Sequence, residues 1–262
     1  MSTYTVNASI LLTDLPILQR PEAVAAAGFT AAEFWWPFAV AVPTDSEVDA
    51  FIGAVRDAGI QLSGLNFFAG DMPAGDRGLV GWVGRESEFA DNVDVVVGIG
   101  DRLGCRGFNA LYGLRTDGVA AEAADELGAA NLRLAADKIA GIGGTVLLEP
   151  VSGSPAYPLK TAADVQAVVD RVAASNLKLL ADFYHLAVNG DDVAAVIASH
   201  AADFGHIQIA DDPGRGQPGT GQLPLSEWLA AAAAGGYDGY VGLEYKDSSA
   251  DPFGWLPRAE RC

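Results

Sequence analysis

Short apolar runs rich in β-branched and aromatic residues alternate along the chain with longer, alanine-rich segments in which apolar residues recur at helical spacing. This alternation is typical of repeated strand–helix units that build a parallel sheet. The eight predicted strands start at Tyr4, Ala31, Gln61, Gly107, Gly144, Leu177, Phe204 and Gly239. The clearest helical patterns lie between them, over 45–59, 85–104, 123–143 and 161–176.

Eight predicted strands at roughly equal spacing favour an α/β fold with one closed (β/α)8 barrel, the TIM barrel, over residues 1–262. An open doubly wound sheet is the alternative, but no G-x-G-x-x-G motif or P-loop follows the first strand. No change in composition divides the chain, so we expect a single domain. The segment 247–262 has two prolines and little periodicity, and we expect the barrel to be less well closed there.

The composition of the chain argues against several classes of binding partner. The chain carries 16 Lys and Arg against 34 Asp and Glu, a net charge of -18, which opposes binding to nucleic acid or to anionic membrane surfaces. Its two cysteines, Cys105 and Cys262, do not suggest a disulfide framework. The first apolar run has no basic segment before it, and no apolar stretch is long enough to span a membrane. We therefore expect a cytoplasmic protein.

Polar side chains appear at the ends of four predicted strands in the C-terminal half: Glu149, Asp182, Gln208 and Glu244. They are about one strand–helix unit apart, so they should meet at the end of the barrel where active sites lie. Carboxylates that converge repel one another unless a cation lies between them, and oxygen ligands favour Mg²⁺ or Mn²⁺, with no organic cofactor. Alternatively, each carboxylate caps the following helix. His206 shares the strand face of Gln208 and should line or support the same site.

Histidine and basic side chains lie beside these strand ends. His185, just beyond the sixth strand, is placed to polarise a substrate hydroxyl or carbonyl. Arg215 lies in a Gly/Pro-rich loop over the barrel mouth and is suited to bind a substrate carboxylate, unless it pairs with Asp211 or Asp212. Lys246 is a second cation at the same rim.

In the N-terminal half, Asn66 ends the third predicted strand, and the segment 69–86 is long for a connection between a strand and a helix. Long connections at this face often act as lids, so we expect Arg77 and Arg85 to bind an anionic group of the substrate. The aromatic residues around Trp35, which follow the second strand, are interpreted as barrel packing.

Six segments together resemble the hydroxypyruvate isomerase family, a branch of the xylose-isomerase-like TIM barrels. The resemblance runs from Tyr4 to Lys246, and the segments are NFFAGDMPAGDRG, VGRESEF, LLEPV, DFYH, GHIQIADDPGRGQPGTG and GLEYK. It implies an isomerase that interconverts hydroxypyruvate and 2-hydroxy-3-oxopropanoate (tartronate semialdehyde) by enediol proton transfer, with Glu149 and Glu244 as the two acid/base residues.

The wider superfamily implies a divalent metal on Glu149, Asp182, Gln208 and Glu244, and leaves open whether the metal is required. In the related ketose 3-epimerases, residues that match His185 and Arg215 lie near substrate oxygens, and a histidine usually stands at the position of Gln208. The glutamine therefore favours the isomerase branch.

Other functions remain open at this stage. A 2-oxo-tetronate isomerase or a ketose 3-epimerase would use a similar site on a related small substrate. A metal-dependent apurinic-site endonuclease shares this barrel, but three histidines in total and a charge of -18 oppose it. A non-catalytic barrel is the last alternative. If the protein is an isomerase or epimerase, its partner is a small anionic keto acid or a sugar. The sequence does not decide whether it forms a homo-oligomer.

Overall fold

All eight predicted strands form, and they pair in chain order into a closed parallel barrel. This computed structural model describes residues 3–249 and 251–261. The strands are β1 (Thr3–Asn7), β2 (Ala31–Phe34), β3 (Gln61–Asn66), β4 (Gly107–Asn109), β5 (Thr145–Leu148), β6 (Leu177–Asp182), β7 (His206–Ile209) and β8 (Tyr240–Leu243). The predicted fold class, a (β/α)8 TIM barrel, is confirmed.

Helices connect successive strands around the outside of the barrel. They are α1 (Arg20–Ala26), α2 (Asp45–Asp57), α3 (Glu86–Leu103), α4 (Ala121–Ala140), α5 (Ala162–Val172), α6 (Phe183–Asn189), α7 (Val193–His200) and α8 (Leu225–Ala234). The four segments with the clearest helical pattern became α2 to α5. Thr44 and Thr161 begin two of these helices with capping boxes. In each, the threonine hydroxyl accepts the backbone N–H of the acidic residue three positions on, and the carboxylate of that residue accepts the backbone N–H of the threonine.

The closure of the barrel differs from the expectation for the C-terminal segment. β1 and β8 pair over four residues, from Thr3 opposite Tyr240 to Val6 opposite Leu243, so the predicted weak closure is wrong. Within the described residues, only a short 3-10 turn follows β8 where a regular barrel has its last helix.

The C-terminal segment packs against α1 and the turn after it, where that helix is missing. The rings of Phe29 and Phe253 lie edge to face with their centroids 4.8 Å apart. The Arg261 guanidinium donates to the backbone carbonyls of Phe253, Leu256 and Ala27 and lies over both rings. An irregular segment therefore covers the barrel through aromatic packing and through hydrogen bonds from Arg261 to backbone carbonyls. A search of the sequence for helical periodicity does not detect such contacts.

The strands separate a polar interior from an apolar outer layer. In β7, Ile207 and Ile209 join the hydrophobic core, whereas His206 and Gln208 bond to a side chain inside the barrel. This division follows from the alternation of side chains along a strand. Within the described residues, no helix has the length and apolarity that a membrane span requires. Cys105 is buried with a free thiol, and Cys262 lies outside the described residues.

Two glycines of α3 test the packing between the helices and the barrel. A Cβ at Gly100 would lie 2.5 Å from the Phe108 ring, whereas a Cβ at Gly98 would meet no atom within 4 Å. We expect Gly98→Ala to raise the free energy of unfolding by up to about 1 kcal/mol through helix propensity. Gly100→Ala should lower it by about 1–3 kcal/mol because the ring must move. Urea denaturation of both variants measures this, and a stabilised Gly100→Ala would contradict the packing.

Candidate active site

Most of the predicted site residues line one cavity of about 450 Å³ at the carboxyl ends of the strands, whereas Asp182 and Gln208 are buried and are not among its lining residues. Glu149 follows β5, Asp182 ends β6 and Glu244 follows β8, and all three carboxyl groups are buried. The five residues predicted to bind substrate all line this cavity: His185, Arg215, Lys246, Asn66 and Arg77. The structure therefore brings residues from both halves of the chain to one place.

Arg215 lies between two of the buried carboxylates. Its Nη2 is 3.0 Å from Glu244 Oε2 and 3.3 Å from Asp182 Oδ2, and its Nε donates to the Glu244 carbonyl oxygen. The alternative that Arg215 pairs with Asp211 or Asp212 is therefore wrong. The guanidinium supplies positive charge at the point where like charges converge.

Asp211 holds the loop that carries Arg215. Its buried carboxylate accepts the backbone N–H groups of Asp212, Gly219, Gly221 and Leu223. Arg215 itself has a φ of 59°, in the left-handed region that a residue with a side chain seldom adopts. Its carbonyl accepts the N–H of Lys246 at 2.7 Å, so the loop is also tied to the end of β8.

Asp182 both caps a helix and faces the site. Its Oδ1 accepts the backbone N–H groups of Tyr184 and His185 and so begins α6. Its Oδ2 faces Arg215 and His185. The helix-cap alternative is therefore correct for one oxygen of this residue, and the other oxygen is left facing two residues that line the cavity.

His185 presents an N–H group to the carboxylates. Its Nδ1 accepts the backbone N–H of Ser152 at 3.1 Å, so the ring proton lies on Nε2. Nε2 is 3.7 Å from Glu149 Oε1 and 3.6 Å from Asp182 Oδ2. Burial lowers the pKa of His185 to about 4, so the ring is neutral near pH 7. Ser152, which was not singled out in the sequence, fixes the tautomer.

Glu149 and Glu244 are carboxyl groups of altered acidity. Burial, together with the charges of Glu244 and Asp182, raises the pKa of Glu149 well above its usual range. Burial raises the pKa of Glu244 to about 8 even beside Arg215. Each group retains a hydrogen-bond donor: Asn109 Nδ2 donates to Glu149 at 2.7 Å, and Trp35 Nε1 donates to Glu244 at 2.7 Å.

Trp35 and Asn109 are functional neighbours that the sequence analysis did not identify. The aromatic residues around Trp35 were interpreted as packing, yet its indole N–H bonds to Glu244 and its ring lines the cavity. The contact joins residues 209 positions apart, so sequence spacing carries no signal for it. Asn109 ends β4, and a polar residue at a strand end was the available signal.

Gln208 has an unusual environment. It is buried, it lies opposite Asp182 in the register of β6 and β7, and its Nε2 donates to Glu33 Oε1 at 2.6 Å. Its carbonyl oxygen is buried and has no hydrogen-bond partner among the described residues. An orphaned carbonyl oxygen on a residue that lies opposite Asp182 suits a hard cation, because such an oxygen otherwise costs free energy.

A metal-binding arrangement is also visible without Gln208. Glu149, Asp182 and His185 bring one potential ligand atom each to within 4.8 Å of one another, which is consistent with a divalent metal. The two carboxylates were predicted ligands, whereas His185 was not. While Ser152 donates to Nδ1, the Nε2 of His185 carries the proton, so the two carboxylates are the members of this group that offer lone pairs to a cation.

The segment 69–86 contributes one of its two predicted basic residues to the cavity. Arg77 lines it while donating to the carbonyls of Met72 and Asp76. Arg85 instead forms a two-bond ion pair with Glu88 and stacks on Trp82, 4.5 Å from the ring centroid. Its guanidinium is therefore engaged by Glu88 of α3 and by Trp82, and Arg85 does not line the cavity.

Comparison with known proteins agrees with this geometry. The family model described as "Xylose isomerase-like TIM barrel" matches residues 21–261. A Streptomyces coelicolor protein provisionally named a hydroxypyruvate isomerase is 51% identical, over 99% of this chain and 97% of its own. Hydroxypyruvate isomerase of Escherichia coli is 30% identical and 2-oxo-tetronate isomerase of Cupriavidus necator is 33% identical, each over 98% of both chains.

A solved structure from Brucella melitensis, described as an AP endonuclease of family 2, superposes with a TM-score of 0.89. It is 32% identical and covers 98% of both chains. L-Ribulose 3-epimerase superposes with a TM-score of 0.74 at 21% identity, which shows a shared fold.

The acidity of Glu244 predicts a dependence of stability on pH. Because the pKa is about 8 in the folded protein and near 4.5 when unfolded, the folded state binds more protons between these values. The free energy of unfolding should therefore fall as the pH rises through this window, by at most about 1.4 kcal/mol per pH unit from this group. Glu244→Gln cannot titrate, so its stability relative to the natural protein should increase from pH 5 to pH 8.

Thermal or urea unfolding across pH 5–9 measures this difference, with EDTA present because a cation bound at Glu244 would favour its ionised form. Glu126→Gln, at an exposed position in α4, is the matched control and should leave the pH profile unchanged. A constant difference between Glu244→Gln and the natural protein would show that Glu244 has an ordinary acidity.

Proposed function

Because the chain belongs to the xylose isomerase-like TIM barrel family, we propose that it is an isomerase that interconverts hydroxypyruvate and 2-hydroxy-3-oxopropanoate. The observation that carries the proposal is the pair of buried glutamates, Glu149 and Glu244, whose raised pKa values suit proton transfer and which line one cavity. Relatives named for hydroxypyruvate and for 2-oxo-tetronates support a short keto acid as the substrate class.

The chemistry needs two acid/base groups. The carbonyl moves from C2 of hydroxypyruvate to C3, so a base removes a proton from C3 to give an enediol, and an acid returns a proton to C2. The hydroxyl proton of C3 leaves as the new aldehyde forms, and the C2 oxygen gains one. Two carboxyl groups of raised pKa that repel each other favour a state with one proton between them, which supplies one base and one acid.

The other lining residues have roles that follow from their charge. His185 offers its Nε2–H to a substrate oxygen as negative charge develops on the enediol. Arg215 and Lys246 supply the positive field that a protein of charge -18 needs at its site in order to bind an acid. Asn66 and Arg77 also line the cavity and would add polar contacts to the substrate.

We assign a divalent cation, Mg²⁺ or Mn²⁺, to Glu149, Asp182, Gln208 and Glu244. The buried carboxylates and the orphaned oxygen of Gln208 fit a hard ion. When bound, such an ion polarises the substrate oxygens and stabilises the charge of the enediol as a Lewis acid.

A 2-oxo-tetronate is the second candidate substrate. The cavity of about 450 Å³ falls in the range that accommodates ligands much larger than a three-carbon acid, so it has room for a fourth carbon. The Cupriavidus relative of that name, at 33% identity, is as similar as the hydroxypyruvate isomerase of Escherichia coli.

An endonuclease function is disfavoured although one solved neighbour carries that description. Among the described residues, His185 is the one histidine that lines the cavity, so a site of several metals would lack ligands. The net charge of -18 would also repel a phosphate backbone. A ketose 3-epimerase has support from the shared fold alone.

A substrate panel tests the proposal. Hydroxypyruvate, 2-oxo-tetronates and simple ketoses are each incubated with the protein, with EDTA or with added Mn²⁺, and the products are followed by NMR. We expect hydroxypyruvate to be converted, and Glu244→Gln to reduce turnover by at least about a hundredfold because one of the two acid/base groups is lost. Absence of product from hydroxypyruvate under every condition would overturn the substrate assignment, and a fully active Glu244→Gln would overturn the mechanism.

A further inference from the structure

A charged side chain is buried inside the barrel at a place that the proposed chemistry does not use. Glu33 of β2 is 3% exposed, and three N–H donors converge on its carboxylate. Asn7 Nδ2 donates to Oε1 at 3.0 Å, Gln208 Nε2 donates to Oε1 at 2.6 Å, and His206 Nε2 lies 2.6 Å from Oε2. Strands β1, β2 and β7 are thereby joined through one carboxylate.

We propose that Glu33 is a positioning residue that orients the Gln208 side-chain amide, so that its carbonyl oxygen is turned to the active site. The inference rests on the proposed function in that Gln208 is one of the assigned cation ligands. The reason is that an amide has one donor end and one acceptor end, and a carboxylate accepts hydrogen bonds without donating any. With its NH₂ group held by Glu33, Gln208 must present its oxygen elsewhere.

The orientation of the network is set from the backbone. Asn7 Oδ1 accepts the N–H groups of Ser9 and Ile10, so its NH₂ group is the end that faces Glu33. The Gln208 oxygen is the other end of its amide, and it is one of three buried side-chain atoms without a hydrogen-bond partner among the described residues. The Asn7 amide is therefore oriented by backbone N–H donors, and the Gln208 amide by the Glu33 carboxylate, which can only accept.

The strands leave room for this pair. A Cβ at Gly242 of β8 would lie 2.8 Å from Glu33 Oε1 and from Gln208 Cγ, and a Cβ at Gly64 of β3 would lie 3.2 Å from Glu33 Cβ. The register between β2 and β3 also shifts at Glu33. Two glycines and a register shift accommodate a buried charge that an apolar side chain would replace at lower cost if packing were its purpose.

The experiment measures Mn²⁺ affinity by the EPR signal of the free ion, in the full-length protein, without substrate. Glu33→Met removes the acceptor at similar length, and we expect the Kd for Mn²⁺ to rise about 10- to 100-fold, as for other partners of metal ligands. Glu33→Gln retains one carbonyl acceptor and should stay within about threefold. If Glu33→Met does not fold, Glu33→Asp replaces it, because its carboxylate stops short of Gln208, and the same rise is expected.

A double-mutant cycle with Gln208→Ala separates positioning from stability. If Glu33 acts through Gln208, the double variant should bind Mn²⁺ no more weakly than Gln208→Ala alone. Thr5→Val is the matched control: it removes a buried bond to Ser63 inside the same barrel and should leave the affinity unchanged. Unchanged affinity in Glu33→Met or Glu33→Asp, or additive losses in the double variant, would overturn the proposal.

If the natural protein binds no Mn²⁺, the metal assignment fails and the cycle is measured on kcat/KM. The losses of kcat/KM should again not be additive, because Glu33 holds the Gln208 amide whether or not a metal is bound. Additive losses of kcat/KM would overturn the role of Glu33 independently of the metal.

Discussion

The mutual repulsion of buried carboxylates is the constraint on which the site depends. Glu149, Asp182 and Glu244 are all nearly inaccessible to solvent, and burial raises the pKa of both glutamates, which line one cavity. Arg215 relieves part of this repulsion by contacting two of the three groups. Burial and the remaining repulsion keep a proton on Glu149 and Glu244 at a higher pH than on an exposed glutamate, which is the property that the proposed enediol chemistry requires.

The barrel imposes this constraint through its geometry. Parallel strands that close in chain order place their carboxyl ends around one opening, so residues far apart in sequence become neighbours. The loop of Arg215 is held by the Asp211 carboxylate, and His185 is held by Ser152 and by the cap of α6. The side chains that face the cavity are therefore fixed by groups that do not face it.

The sequence was sufficient for the fold and for the charged residues and the histidine that line the cavity, because both follow from local patterns. Strand ends carry polar residues at regular intervals, and this alone located Glu149, Asp182 and Glu244. The contacts of Trp35 and Glu33 were missed because each bonds to a partner on a distant strand, and such pairs depend on barrel register. The covering of the barrel by residues 251–261 was not predicted, because contacts between aromatic rings leave no helical or strand periodicity in the sequence.

The central claim is that a proton removed from C3 by one carboxyl group is replaced at C2 by a proton from the other. The most direct measurement is isomerisation of hydroxypyruvate in D₂O, with the first product formed analysed by NMR before it can exchange. The two-carboxyl account predicts solvent deuterium at C2 of the product, because the delivered proton comes from a group that exchanges with water between turnovers. A product that retains the original C3 hydrogen at C2 would indicate direct hydride transfer and would contradict it.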